Sequence, residues 1–135
     1  MKSGRDTPEI IVVDDHPLDL ELLAEVFEQL GYAVHRADGG ETALDLLARL
    51  PQVVGMVCDL AMPGMDGNQL AETALRRRPD LRILLVSGHA GAIRARSHPF
   101  LPKPLHPDTM RGAAAAFFPA NANGPADAAQ RRGFA

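Results

Sequence analysis

The chain has 135 residues, 46% of them hydrophobic, which is enough to fill one core and leaves no room for a second folded module. Its 14 basic and 17 acidic side chains give a formal net charge of -3, which excludes the cationic field that holds nucleic acid or an anionic membrane surface. No apolar run approaches the roughly 20 residues that cross a bilayer, the opening MKSGRDTPE lacks a signal peptide's apolar centre, and one cysteine excludes an internal disulfide framework, so a cytoplasmic protein is expected.

Residues 10–13 are a run of β-branched side chains ending in Asp14 and Asp15, the pattern of a strand buried on both faces. Over residues 17–30, Leu18, Leu22, Leu23, Val26, Phe27 and Leu30 recur at helical spacing, and Gly31 supplies a left-handed stop. Residues 32–37 pair as a second strand. Asp38 with Glu41 three residues on then resembles a capping box, opening a helix that runs through Leu50 to Pro51. A third strand over 53–58 ends at Asp59, and Pro63, Gly64 and Gly67 make a loop before a helix from about 68 to 78, which Pro79 closes. A fourth strand spans 81–86, followed by Ser87 and Gly88. A short fifth strand over 100–102 precedes Lys103, and a last helix runs from 107 to 118. Strands alternating with helices require right-handed crossovers. The expected fold is doubly wound α/β, a five-stranded parallel sheet in the flavodoxin-like order 2-1-3-4-5 with helices on both faces.

In such a sheet ligands bind beyond the carboxyl ends of the strands, where strand order reverses between the first and third. Asp14, Asp15 and Asp59 fall at that point, Ser87 ends the fourth strand and Lys103 the fifth, so polar groups from four separated segments rim one crevice. Three carboxylates crowded together repel one another, and a cation relieves the repulsion. Carboxylates, a loop carbonyl and water suit a small hard ion, Mg2+ in particular, and the absence of a Cys/His cluster disfavours zinc. Lys103 adds a compact cation and Ser87 a hydroxyl donor, both suited to phosphoryl oxygens, and an aspartate can itself act as the nucleophile that forms an acyl phosphate.

The ordered set of Asp14-Asp15, Asp59 followed by MPGMDG, Ser87 and Lys103-Pro104 resembles the receiver domain of two-component response regulators, over residues 9 to about 118. The resemblance implies that Asp59 is the phosphoacceptor. It also implies that Mg2+ is ligated by Asp15, Asp59 and the backbone carbonyl of Ala61, with Asp14 supporting the ion through water. By the same resemblance Lys103 binds the phosphoryl oxygens, Ser87 moves to hydrogen-bond them, and the Lys103-Pro104 bond is cis, which proline permits at modest cost. Phe100 takes the place of the aromatic switch residue, with a plain core aromatic as the other reading. The implied donor is a phosphohistidine on a sensor histidine kinase or a histidine phosphotransfer protein. The implied output is binding to a downstream protein partner, with no direct nucleic acid or membrane contact. Such a domain is a phosphoacceptor signalling module and no enzyme, at most catalysing its own phosphorylation and dephosphorylation. Two alternatives stay open: a degenerate receiver that binds protein independently of phosphorylation, and a Mg2+-dependent phosphohydrolase turning over on Asp59. Against the second, no acid stands two residues after Asp59.

Between Ser87 and Phe100 stand only the residues GHAGAIRARSHP, close to the minimum of about 10–12 for a parallel crossover. The fourth helix, expected over 90–96, is therefore short or irregular. Ala61 and His89, two residues beyond Asp59 and Ser87, hold places that in receivers influence acyl-phosphate hydrolysis. Residues 1–8 and 119–135 are too poor in large apolar side chains to offset ordering entropy, leaving one receiver domain over 9–118 between a flexible N-terminus and a disordered tail. Cys58 is read as core and Asp66-Gly67 as turn chemistry; His16 follows the acid pair and could approach the metal, with an exposed first-turn residue as the favoured reading. Arg76, Arg77 and Arg78 are read as cations that complement a helix dipole and face water, and His35, His98 and His106 as having no partner at ligand spacing.

Overall fold

A computed structural model of the chain describes residues 7–88, 100–103, 106 and 108–112. In chain order the elements are β1 (Glu9–Val13), α1 (Pro17–Gln29), β2 (Ala33–Ala37), α2 (Gly40–Arg49), β3 (Val53–Asp59), α3 (Gly67–Arg77), β4 (Arg82–Ser87) and β5 (Phe100–Pro102). A helical segment follows at 108–112. All pairings are parallel and the strand order is β2-β1-β3-β4-β5, as expected from the alternation of strand and helix patterns. The expected helix over 90–96, His89, His98, Pro104, the end of the last helix after 112 and almost all of both tails lie outside the described residues, as does the side chain of Phe100.

Period-2 alternation divides each central strand between two apolar layers. Ile11, Val13, Met56, Cys58, Ile83 and Leu85 pack under α2 and α3 against Leu44, Leu47, Leu70 and Ala74. Ile10, Val12, Val57, Leu84, Val86 and Leu101 face the other way, onto Leu23 and Phe27 of α1 and Met110 of the 108–112 segment. Burying each large apolar side chain contributes about 1.5–3 kcal/mol, and removing β1 would empty both layers at once. Gly31 ends α1 at φ +103°, the left-handed conformation that glycine adopts without a Cβ clash. No helix of the described residues is long and apolar enough to cross a membrane.

Four local expectations change. Leu18 and Leu22 share the helical spacing of α1 but are 81% and 63% exposed, because the buried stripe is carried by Leu23, Ala24 and Phe27. The Asp38–Glu41 capping box does not form. Gly39 is the N-cap of α2 with no side-chain cap, and the Asp38 carboxylate instead accepts from the Thr42 hydroxyl at 3.1 Å. A complete box forms at α3, where the Asp66 carboxylate accepts from Gln69 N–H and the Gln69 side chain accepts from Asp66 N–H, so Asp66 is a helix cap as well as a turn residue.

The fourth change concerns Arg78. It does not simply face water: its guanidinium donates to the carbonyls of Leu47, Leu50, Pro51 and Val53, satisfying the open end of α2 and the start of β3. The imidazole of His35 pairs with the Glu9 carboxylate at 2.9 Å, a packing contact across the β1–β2 pair.

Candidate functional site

Sheet register sets the rim of the site. Val13 pairs with Cys58, so Asp14 and Asp59 leave adjacent strands side by side; Ser87 pairs with Pro102, so Lys103 follows one residue later. Backbone bonds continue the sheet past its last paired residues: Asp14 N–H donates to Ala37 O at 3.1 Å, Leu60 N–H to Val86 O at 2.8 Å, and Lys103 N–H to Ser87 O at 2.6 Å. These bonds fix where the side chains of residues 14, 59 and 103 depart.

The loop after β3 folds back on itself, with Gly67 N–H donating to Leu60 O at 2.8 Å. A Cβ at Gly67 would stand 2.7 Å from Asp59 O and 2.8 Å from Leu60 Cα, so only glycine lets α3 begin against the end of β3.

Asp14, Asp59 and Ser87 are the buried polar side chains among the described residues, at 1%, 4% and 3% exposure. Lys103 Nζ lies 3.5 Å from Asp14 Oδ2, 3.6 Å from Asp59 Oδ1 and 3.4 Å from Asp19 Oδ2. Burial, and then the charge of Asp14, push the Asp59 carboxyl above the ordinary carboxylate range, while Lys103 and a backbone hydrogen bond from Ala61 pull the other way. Burial disfavours the Lys103 ammonium, but Asp14, Asp59 and Asp19 outweigh it and hold its pKa above the ordinary lysine value. Burial and the neighbouring acids push the Cys58 thiol up, so it is a core residue and no nucleophile.

The donor set fits a small divalent cation. Asp14 Oδ2 and Asp15 Oδ1 are buried without a hydrogen-bond partner, a costly state for a carboxylate that a cation would relieve. Asp14, Asp15, His16 and Asp59 each present a ligand atom, all within 4.8 Å of one another. Three of the four are hard carboxylates, the chemistry that Mg2+ takes.

Of the residues picked from the sequence, Asp14, Asp15, Asp59 and Lys103 converge, and Ser87 lies buried at the same edge. Ala61 adjoins through a backbone hydrogen bond to Asp59, and Phe100 contributes its backbone to β5. One participant was missed and a second was set aside as exposed. Asp19 stands in the first turn of α1, four residues after Asp15, and it reaches Lys103. His16 is 69% exposed, as expected, yet its Nδ1 lies 3.5 Å from Asp15 Oδ1 and 3.7 Å from Asp14 Oδ1.

A doubly wound sheet with carboxylates at its reversal point and a lysine facing them is compatible with the receiver domains of two-component signalling. The profile of the response regulator receiver domain family matches residues 10–115, and the chain belongs to that family. It is 28% identical over 109 residues to the nitrogen assimilation regulatory protein NtrX of Azorhizobium caulinodans, a match covering 76% of this chain and 24% of that one. With the sensor kinase CckA of Brucella abortus it shares 33% identity over 103 residues, 71% of this chain and 11% of that one. A solved response regulator receiver protein from Sinorhizobium medicae is similar at a TM-score of 0.74 and 25% identity, covering 81% of this chain and 92% of its own. The chain thus spans about a quarter or less of these two curated relatives.

Proposed function

We propose that Asp59 accepts a phosphoryl group from a phosphohistidine, and that the resulting shift in conformation controls binding to another protein. A buried aspartate at a strand end, crowded by Asp14 and faced by Lys103 from two strands away, is the observation that carries this reading. Residues 9–118 are proposed as the functional unit, acting in the cytoplasm. The names of the relatives include a sensor kinase, which supports a histidine kinase or a phosphotransfer protein as the donor.

In the transfer, an Asp59 carboxylate oxygen forms a bond to phosphorus as the phosphorus–nitrogen bond of the donor breaks. The electron pair stays on the departing imidazole, which takes up a proton. Such transfers depend on alignment and charge neutralisation more than on acid–base chemistry. Lys103 is positioned to neutralise phosphoryl oxygens, and Ser87 to donate its hydroxyl to them. Asp14, Asp15, Asp59 and the Ala61 carbonyl would hold Mg2+, which supplies positive charge to the same oxygens. After transfer the new anion competes with Asp14 and Asp19 for Lys103, which favours a different arrangement of the β4 and β5 ends.

The test incubates the protein with acetyl phosphate and Mg2+ and follows intact mass and amide shifts. One phosphoryl group should appear on the wild type, with shifts around Asp59, Ser87 and Lys103, and neither should occur in Asp59→Asn or with EDTA. An unmodified wild type that still binds its protein partner would identify a degenerate receiver. Steady release of phosphate from small phosphomonoesters would identify a hydrolase.

A further inference from the structure

We infer that His16 is an inner-sphere nitrogen donor to the ion held by Asp14, Asp15 and Asp59, and that it extends the site from Mg2+ to borderline divalent ions such as Co2+ and Zn2+. This rests on the reading of the acid cluster as a cation site, and concerns a residue that the sequence pattern left as an exposed first-turn histidine.

Three observations carry it. The separations of His16 Nδ1, 3.5 Å from Asp15 Oδ1 and 3.7 Å from Asp14 Oδ1, are too long for direct hydrogen bonds. The shorter is the separation of two ligands on one ion, since bonds of about 2.0–2.2 Å at tetrahedral or octahedral angles put neighbouring donors roughly 3–3.6 Å apart, and the longer lies just beyond that range. Second, Asp15 Oδ1, the atom nearest the imidazole, has no hydrogen-bond partner, and neither does Asp14 Oδ2, on a side chain that is 1% exposed.

Third, the imidazole is held at the mouth of the cluster by its own backbone. His16 N–H donates to Asp14 Oδ1 at 2.9 Å, and Pro17 at the start of α1 fixes the direction in which the chain leaves.

The donor type decides the consequence. Carboxylate oxygens alone suit Mg2+, whereas an imidazole adds little for Mg2+ and much for ions later in the first transition row. Zinc is disfavoured by a sequence without a Cys/His cluster, but the fold assembles a mixed oxygen–nitrogen set from three consecutive residues and one strand end.

Tag-free wild type, His16→Ala, His16→Gln and Asp59→Asn are titrated calorimetrically with Mg2+, Co2+ or Zn2+ alone, and the Co2+ forms are examined by visible absorption. His16→Ala and His16→Gln should weaken Co2+ and Zn2+ binding by about tenfold or more, the effect of one donor worth ~1.4 kcal/mol, with Mg2+ binding unchanged. The Co2+ ligand-field spectrum should change in the same two variants, and the His16 ring nitrogens should shift when wild type takes up Zn2+. Equal affinities in wild type and both variants, or a parallel loss for all three ions, would overturn the inference while leaving the cation site standing. Full-strength Co2+ binding in Asp59→Asn would place that ion elsewhere and overturn it too. Failure of the wild type to bind any of the ions would remove the cation site itself.

Discussion

Lys103, at the end of β5, places its ammonium 3.6 Å from Asp59 Oδ1 at the end of β3, across the intervening strand β4. The pair lies too far apart for a tight direct ion pair, and Lys103 divides its charge among Asp59, Asp14 and Asp19. An incoming anionic group can therefore recruit the lysine without first breaking a strong bond.

Replacing the lysine should separate its two effects. Lys103→Ala removes a positive charge beside the cation site, so Mg2+ should bind more tightly than in wild type by calorimetry. It also removes the charge aimed at the phosphoryl oxygens, so the rate at which Asp59 gains mass from acetyl phosphate should fall about 100-fold or more. A wild-type phosphorylation rate would show that the ammonium has no part in transfer.

Asp59 should set a pH dependence of stability. Its folded pKa is raised above the ordinary 3.8, so the folded state binds the proton more tightly than the unfolded state does. The stability this contributes is full below the unfolded pKa and is lost as pH rises through the folded value. Asp59→Asn should therefore have the higher Tm at neutral pH in the absence of a divalent ion, with the gap closing toward acid. Mg2+ should raise the Tm of wild type and not of the variant. A variant less stable than wild type at neutral pH would contradict the raised pKa.

Two glycines near the site should respond oppositely to alanine. In Gly67→Ala the new Cβ meets backbone, Asp59 O and Leu60 Cα at 2.7 and 2.8 Å, and neither can yield without moving Asp59. A loss of about 1–3 kcal/mol in urea unfolding and weaker Mg2+ binding are expected. In Gly40→Ala the closest atom is Met65 Sδ at 2.7 Å, on a flexible side chain that can turn aside, and Met65 Cβ at 3.2 Å needs only a small shift of the loop before α3. Alanine also favours the helix there, so stability should stay within about 0.5 kcal/mol of wild type. Equal responses from the two variants would discount the backbone contact at Gly67.

Arg78 should behave as a structural clamp. Arg78→Ala leaves up to four carbonyls short of a donor and should cost about 1.5–3 kcal/mol, against at most about 0.5 kcal/mol for Arg77→Ala on the exposed face. Arg78→Lys should recover only part, because an ammonium cannot match a planar fork. Comparable losses from the Arg77 and Arg78 variants would refute the clamp.

The strands, their order and the acids at their ends were legible in the sequence because each depends on local pattern. Short apolar runs give way to polar residues where the chain leaves the sheet, and parallel topology then carries Asp14, Asp59, Ser87 and Lys103 to one edge. The β5 limits matched residue for residue. Capping was less legible, since Asp38–Glu41 and Asp66–Gln69 have the same spacing and only the second forms a box. The difference lies in where each helix starts: α2 begins after Gly39, one residue too late for Asp38 to be its N-cap.

By itself the sequence determined the strand and helix segments and which chemistry sits at the strand ends, because periodicity and residue type are properties of neighbours along the chain. Tertiary structure alone decided which of several like side chains does what. It turned Arg78 onto the carbonyls of α2 while Leu18 and Leu22 were left in solvent, drew Asp19 to Lys103, and brought the His16 imidazole to the acid cluster. Those outcomes depend on distances of a few ångström between segments far apart in sequence, or on side-chain directions that spacing does not specify, and electrostatic and hydrogen-bond energies vary steeply over such distances.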